Sequence, residues 1–268
     1  MTDGALRTFG ALAGEALHDA VRRRIVPLIA AVSLLSLLAV DSCTSCGVAS
    51  LTTHGNAVEV LDIASWTGAV IFLVLALWMG ILAGLLGSDH LAEPLADGSA
   101  ALVLARPVSR HSFALARLTG ALLIALGAGT VLLAVTAGLL HARYAVALAP
   151  ASWAATAAGV GAVTLGALAA AGSLALPRIA VALLVLMAVA GIALVNTLSL
   201  AGAELGGIFA ALDRFGPPLL TAPALALSPW LEGVKLPGVA DVMLRLLLWL
   251  GGSLALLLGA FSRMEIHS

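Results

Sequence analysis

Runs of about 20 residues without a charged side chain recur along this chain, and no other feature limits its fold so strongly. Residues 65–87 and 118–140 contain no Asp, Glu, Lys or Arg at all. A helix of that length matches the hydrocarbon thickness of a bilayer. A soluble domain could not hide such segments. The chain is 62% hydrophobic and 10% charged, against about 45–50% and about 25% in ordinary soluble domains, whose surface forces polar residues outward. The sequence therefore predicts an all-α integral membrane protein with six transmembrane helices. They fall at residues 25–41, 65–87, 117–141, 153–176, 178–200 and 242–262, and Pro177 marks a tight turn between the fourth and fifth. The whole chain reads as one transmembrane domain.

Orientation follows from the basic residues, which concentrate in cytoplasmic loops. With an even number of spans, both termini share one side. Arg7, Arg22, Arg23, Arg24, Arg106, Arg110, Arg117, Arg178 and Arg263 share the side of the termini. Arg143, Arg214, Lys235 and Arg245 take the other. Nine against four places both termini in the cytoplasm and the chain in the cell inner (plasma) membrane as a multi-pass protein. The net charge of −1 excludes bulk nucleic-acid binding. Some two dozen residues precede the first apolar run, which is long for a signal-peptide n-region, and no A-x-A site follows it. No cleavable signal is expected.

Three segments stand outside the spans. Residues 2–24 form an amphipathic interfacial helix, with Leu6, Phe9, Leu12, Ala13, Ala16, Leu17 and Ala20 at i, i+3, i+4 spacing. Residues 88–116 are the largest cytoplasmic loop, with short helices interrupted near Asp97-Gly98 and Arg106-Pro107. Pro107 favours the first turn of a helix. Residues 201–241 form the long outer loop, broken by Pro217, Pro218, Pro223, Pro229 and Pro237. There Ala203–Phe215 is too short to span and is expected as a short re-entrant helix, with Trp230 and Trp249 marking an interface.

Chemistry-bearing groups are few. Cys43-Thr44-Ser45-Cys46 is a C-x-x-C on the outer side, with His54 downstream. It is open to a disulfide, which an oxidising outer face favours, to no bond, or to a metal site completed by His54. Asp89, His90, Glu93 and Asp97 have helical spacing, but Pro94 interrupts a continuous helix, and a solvated acidic mouth is expected. Thr130, Thr136, Asn196, Thr197 and Ser199 are polar groups within spans, expected to bond between helices. No carboxylate is buried within a span, which weighs against ion-coupled transport. The small residues Ala154, Ala155, Ala157, Ala158, Gly159 and Gly161 suit close packing against a second subunit.

One stretch is specific. Asp97-Gly98-Ser99-Ala100-Ala101-Leu102-Val103-Leu104-Ala105-Arg106-Pro107-Val108-Ser109-Arg110 resembles the loop after the second span of ABC type-2 permeases. There D-G-T/S precedes a Leu-rich run and R/K/Y-P-V/L-S/G-R. The interfacial helix, the outer loop and Phe261-Ser262-Arg263-Met264-Glu265-Ile266 are similar to that family too. His90-Leu91-Ala92-Glu93-Pro94 departs from it, putting a Pro where the family has a more acidic helix.

The resemblance implies a permease subunit, an exporter in character, that is no enzyme itself. It would pair with a cytoplasmic ABC ATPase subunit and with a second permease copy or a homologue. No cofactor is expected in this chain, since ATP and Mg would be bound by the ATPase; no G-x-x-x-x-G-K-[ST] occurs here. Asp97, Gly98, Arg106, Pro107 and Arg110 would then be the ATPase-coupling residues, with the Arg forks meeting carboxylates. The other reading is an anchor or mechanotransmission subunit that acts on a periplasmic partner and moves no solute.

Overall fold

The structure is a computed structural model that describes residues 3–22, 31, 34–35, 38, 42, 57–96, 98, 100, 103, 105, 108–231 and 233–263. Among these it is all-helical. In chain order the helices are α1 (Asp3–Arg22), α2 (Ala57–His90), α3 (Ala92–Ala96), α4 (Arg110–Tyr144), α5 (Leu148–Gly172), α6 (Arg178–Leu200), α7 (Gly207–Phe215), α8 (Thr221–Ala226) and α9 (Val239–Arg263), with a 3-10 turn at Ser228–Trp230 before α9. Five helices, α2, α4, α5, α6 and α9, are long and apolar enough to cross a membrane. The expected first span, residues 25–41, lies almost wholly outside the described residues. Ala31, Leu34, Leu35 and Leu38 within it are helical, and those three leucines are exposed.

Consecutive long helices run in opposite directions, so the bundle has two ends. One end gathers α1, the ends of α2, α5 and α9, and the starts of α4 and α6. We call it the loop end. The opposite end carries residues 201–238.

The helices stop and start where local chemistry dictates. Ser109 caps α4: its backbone is extended and its Oγ accepts from the Ser112 N–H at 3.1 Å. At the far end Ala145 is left-handed (φ 54), and its N–H donates to the His141 carbonyl at 2.8 Å. The α5 segment runs from Leu148 to Gly172, earlier than the expected 153–176. Ser173 closes it by donating to the Ala170 carbonyl at 2.8 Å. Residues 173–176 then turn, and Pro177 leads into α6.

The core is a seam of small residues between α2 and α5. A Cβ placed on Gly87 would strike the backbone of Gly166. One on Gly166 would lie 2.7 Å from Leu122 and 3.1 Å from the Ala83 carbonyl oxygen. Gly80 faces Leu165 in the same row. Helices in lipid gain nothing from hydrophobic exclusion, so close backbone approach supplies the association. Ala154, Ala158 and Gly161 are buried inside this chain. Half of the small residues expected to suit packing against a second subunit are thus used within the chain, while Ala155, Ala157 and Gly159 are partly exposed. The helix α1 also packs on protein: Ala13 and Ala16 are buried against Gly120 of α4, where a Cβ would lie 2.6 Å from that of Ala16.

Burial separates the helices into inner and outer ones. In its most apolar window α5 is 61% buried, whereas α6 and α9 are 28% and 22% buried. Ile179, Leu183 and Met187 on α6, and Leu244, Leu247 and Leu248 on α9, point outward. Such faces suit lipid or a second chain.

The outer loop enters the bundle, though not through the segment expected. Residues 203–206 are irregular, and α7 (Gly207–Phe215) has no buried residue. Ile208, Leu212 and Phe215 stand exposed along its side. The inserted piece is the next one. Leu219, Leu220, Thr221, Ala222 and Ala224 are buried. Leu219 reaches Gly161 (3.3 Å to an added Cβ) and lies beside Gly80 and Leu165. Gly161 is thirteen residues into α5, or about 20 Å along its axis.

Irregular backbone so far inside must have its polar groups satisfied. Pro217, Pro218 and Pro223 carry no N–H. The Leu220 N–H donates to Asn196 Oδ1 at 3.2 Å. Arg245 of α9 donates to the carbonyls of Asp213 and of Gly216, the latter at 2.8 Å, capping the end of α7. Ser199 donates to Asp213 Oδ2 at 3.0 Å, and Trp249 to the Phe215 carbonyl at 2.8 Å. Trp230 is buried edge-on against Phe72, at 6.2 Å between centroids. It is thus a core residue and not an interface marker.

Asn196 and Ser199 therefore bond between segments as expected. Thr130, Thr136 and Thr197 do not: each hydroxyl bonds the carbonyl four residues back on its own helix.

Three outcomes follow. Gly166→Leu will cost about 3 kcal/mol by overpacking, read as loss of a monodisperse size-exclusion peak and a sharply lower melting temperature in detergent. Gly127→Ala, whose added Cβ meets nothing within 4 Å, will leave both unchanged or slightly improved. Asn196→Ala strands the Leu220 N–H, at about 1–3 kcal/mol. Limited proteolysis will then cut within residues 216–227 faster than in the native chain.

Candidate functional site

Of the residues singled out by the sequence, Asp89, His90, Glu93, Gly98 and Arg110 lie at the loop end. Of the coupling set, Asp97, Arg106 and Pro107 lie outside the described residues, as do Cys43, Cys46 and His54. Gly98 is exposed in the left-handed region (φ 77), a conformation that favours glycine. Arg110 is exposed and is the first residue of α4. No short separate helix intervenes between Arg110 and the membrane-length segment. Helix α4 runs unbroken for 35 residues from Arg110 to Tyr144.

The other side of the loop is anchored by a buried polar cluster, which corrects the expected solvated acidic mouth. Ser88, Asp89 and His90 are 1%, 6% and 5% exposed, and Leu91 is fully buried. Glu93 is exposed, and Asp97 lies outside the described residues. Helix α2 ends at His90 and α3 restarts at Ala92, with Pro94 in its first turn, where a missing N–H costs nothing. The buried groups make contacts locally and across the bundle. Ser88 donates to the Leu85 carbonyl at 2.7 Å, and His90 Nδ1 lies 3.0 Å from the Leu86 carbonyl. Asp89 pairs with Arg178 at the start of α6. That ion pair ties the last turn of α2 to the first turn of α6.

Across the same end, Arg117 of α4 is 5% exposed and sits 5.8 Å from the ring centroid of Phe113. Phe113 stacks on Phe261 near the end of α9, with centroids 6.0 Å apart and planes at 25°. The loop therefore leaves one rigid anchor, at Ser88–Leu91, and returns to another, at Ser109–Arg117. The first is braced to α6 through Asp89 and Arg178, the second to α9 through Phe113 and Phe261.

Sequence reasoning counted Arg117 and Arg178 only as topological charges. Asp89, which pairs with Arg178, is 89 positions away in sequence, and spacing carries no signal for such a pair; Arg117 meets Phe113 four positions back on its own helix. The resemblance of Phe261 to a family ending was visible, but its stacking on Phe113 was not. No set of three or more His, Cys, Asp or Glu able to hold a metal ion occurs among the described residues.

No family model matches the chain, and no curated protein matches it. The fold itself defines the class: a polytopic helical membrane protein with a braced loop end.

A double-mutant cycle on Asp89→Asn and Arg178→Gln will show coupling of about 1 kcal/mol or less, because the Arg178 side chain is 58% exposed and screened. Asp89→Asn will leave the helical circular dichroism intact. It will raise cleavage within residues 91–108 by added protease.

Proposed function

We propose that this chain is the permease subunit of an ATP-driven ABC transporter of the type-2 kind, an exporter. ATP hydrolysis in a separate cytoplasmic ATPase subunit would be coupled here to movement of a substrate. One observation carries the reading: a loop with the D-G-S … R-P-V-S-R pattern joins two rigid anchors, and the return anchor is the first turn of an unbroken 35-residue helix. A protein that receives work by contact needs that construction, in which a docking loop does not bend away from the spans it must move.

In this reading the six spans include residues 25–41, both termini are cytoplasmic, and the membrane is the inner (plasma) membrane. Helix α1 lies in the headgroup plane with one face on α4. Helix α7 lies at the opposite interface, with its exposed Ile208, Leu212 and Phe215 in the lipid. The outward faces of α6 and α9 supply the surface for a second permease copy or a homologue. ATP and Mg stay with the partner. Asp97, Gly98, Arg106, Pro107 and Arg110 meet it.

The test is affinity purification of the tagged chain from its own membranes in mild detergent. The reading predicts a stoichiometric ATPase subunit in the native preparation. Recovery of that subunit should fall at least about tenfold in Arg106→Ala with Arg110→Ala, at unchanged yield of the tagged chain. Native-like recovery in the double variant would exclude these arginines from the coupling surface. Absence of any ATPase would sink the assignment.

A further inference from the structure

A cavity with no role above lies at the end of the bundle opposite the loop end. It measures about 660 Å³, within the range of about 300–1,000 Å³ typical of sites for small organic ligands. Its wall on α2 is a stripe from Trp66 to Leu77 that includes Val74. Leu220 and Leu231, both 5% exposed, also line it. The last turn of α6 adds Leu200, and Lys235 completes the lining. Gly202 and Gly233, both left-handed (φ 78 and 83), are part of the same lining.

Three properties of this cavity converge. The first is length. Trp66 to Leu77 spans eleven residues, or about 16 Å of helix, close to half of the roughly 30 Å hydrocarbon core. The slot is one leaflet deep. The second is polarity. Its lining is mainly apolar, and the polar members, Thr197 and Lys235, belong to the end where α6 finishes and the outer loop begins. The third is charge. Lys235 is the single Lys of the chain and is exposed. Its compact ammonium on a flexible stem suits a phosphate. Trp66, half exposed at the start of its span, lies at the same level, where an indole favours the headgroup region.

We propose that this cavity is a binding site for one acyl chain of an acidic phospholipid, with the lipid phosphate on Lys235 and the chain along the Trp66–Leu77 stripe. The lipid lies in the leaflet on the side of α7 and α8. This inference needs only that the helices cross a bilayer, and it holds whether or not the chain moves a solute.

The experiment reconstitutes the full-length chain in nanodiscs containing phosphatidylglycerol or phosphatidylcholine with a photoactivatable diazirine in the acyl chain. Adducts are mapped by mass spectrometry. The expected result is adducts concentrated at Val74–Leu77, about fivefold more with phosphatidylglycerol than with phosphatidylcholine, as one interfacial cation at about 1 kcal/mol provides. Lys235→Gln, on an exposed loop, should bring the two lipids to equal yield. Val74→Trp should fill the slot and remove the Val74–Leu77 adducts for both. Equal yields for the two lipids in the native chain would overturn the proposal. So would adducts spread along the outward faces of α6 and α9, or a Val74–Leu77 yield that neither variant changes.

Discussion

The approach of α2 to α5 is the contact on which the rest of the molecule depends. Where Ala83 and Gly87 on one helix face Gly166 on the other, backbones meet with no room for an added carbon, and Gly80 takes the Leu165 side chain. Lipid tails are as apolar as leucine side chains, so only packing of this closeness holds two apolar helices together. The seam fixes the axis of the bundle. Gly166 also receives Leu122 of α4, and Gly161 receives Leu219 from the outer loop. Four segments are thus positioned by glycines within a few turns of one another.

Both ends of the bundle follow from that axis. At the loop end, α2 terminates in a cluster that cannot move far, because Asp89 is held by Arg178 and Ser88 and His90 are bonded to their own helix. At the opposite end, irregular backbone penetrates about halfway down α5, made tolerable by three prolines that need no acceptor and by Asn196 and Arg245. Arg245 interrupts an otherwise apolar span, and its position now has a cause. Its guanidinium serves carbonyls at the end of α7 and lies within 3.7 Å of Asp241 one turn away. The apolar cavity stands beside this insertion, lined by Leu220 from it and by the outer half of α2.

Much of the architecture was legible in the sequence because bilayer thickness imposes a simple rule on composition. Five apolar segments became five helices of spanning length, and the break before Pro94 was visible from proline chemistry alone. What could not be read depends on which segments meet. Ala154, Ala158 and Gly161 signal close packing, but nothing in their spacing says whether the partner is α2 or another chain. Trp230 carries the composition of an interface residue and is a core residue, because only the fold brings Phe72 to it. The burial of residues 216–227 in the bundle was not legible for a related reason. Ala203–Phe215 is the more helical stretch by pattern, whereas the Pro-rich 216–227 is the stretch with fewer backbone donors to satisfy. The loop pattern at 97–110 was legible as a resemblance. The buried anchors on either side of it were not.

The central claim is that the braced loop and the lysine-rimmed cavity lie on opposite faces of a membrane. It is tested by single-cysteine labelling in a background with Cys43→Ser and Cys46→Ser. Gly98→Cys and Lys235→Cys are each exposed to a membrane-impermeant maleimide in intact cells and in inverted vesicles. The account predicts that position 98 reacts only in inverted vesicles and position 235 only in intact cells. Reaction of both positions from the same side would contradict it.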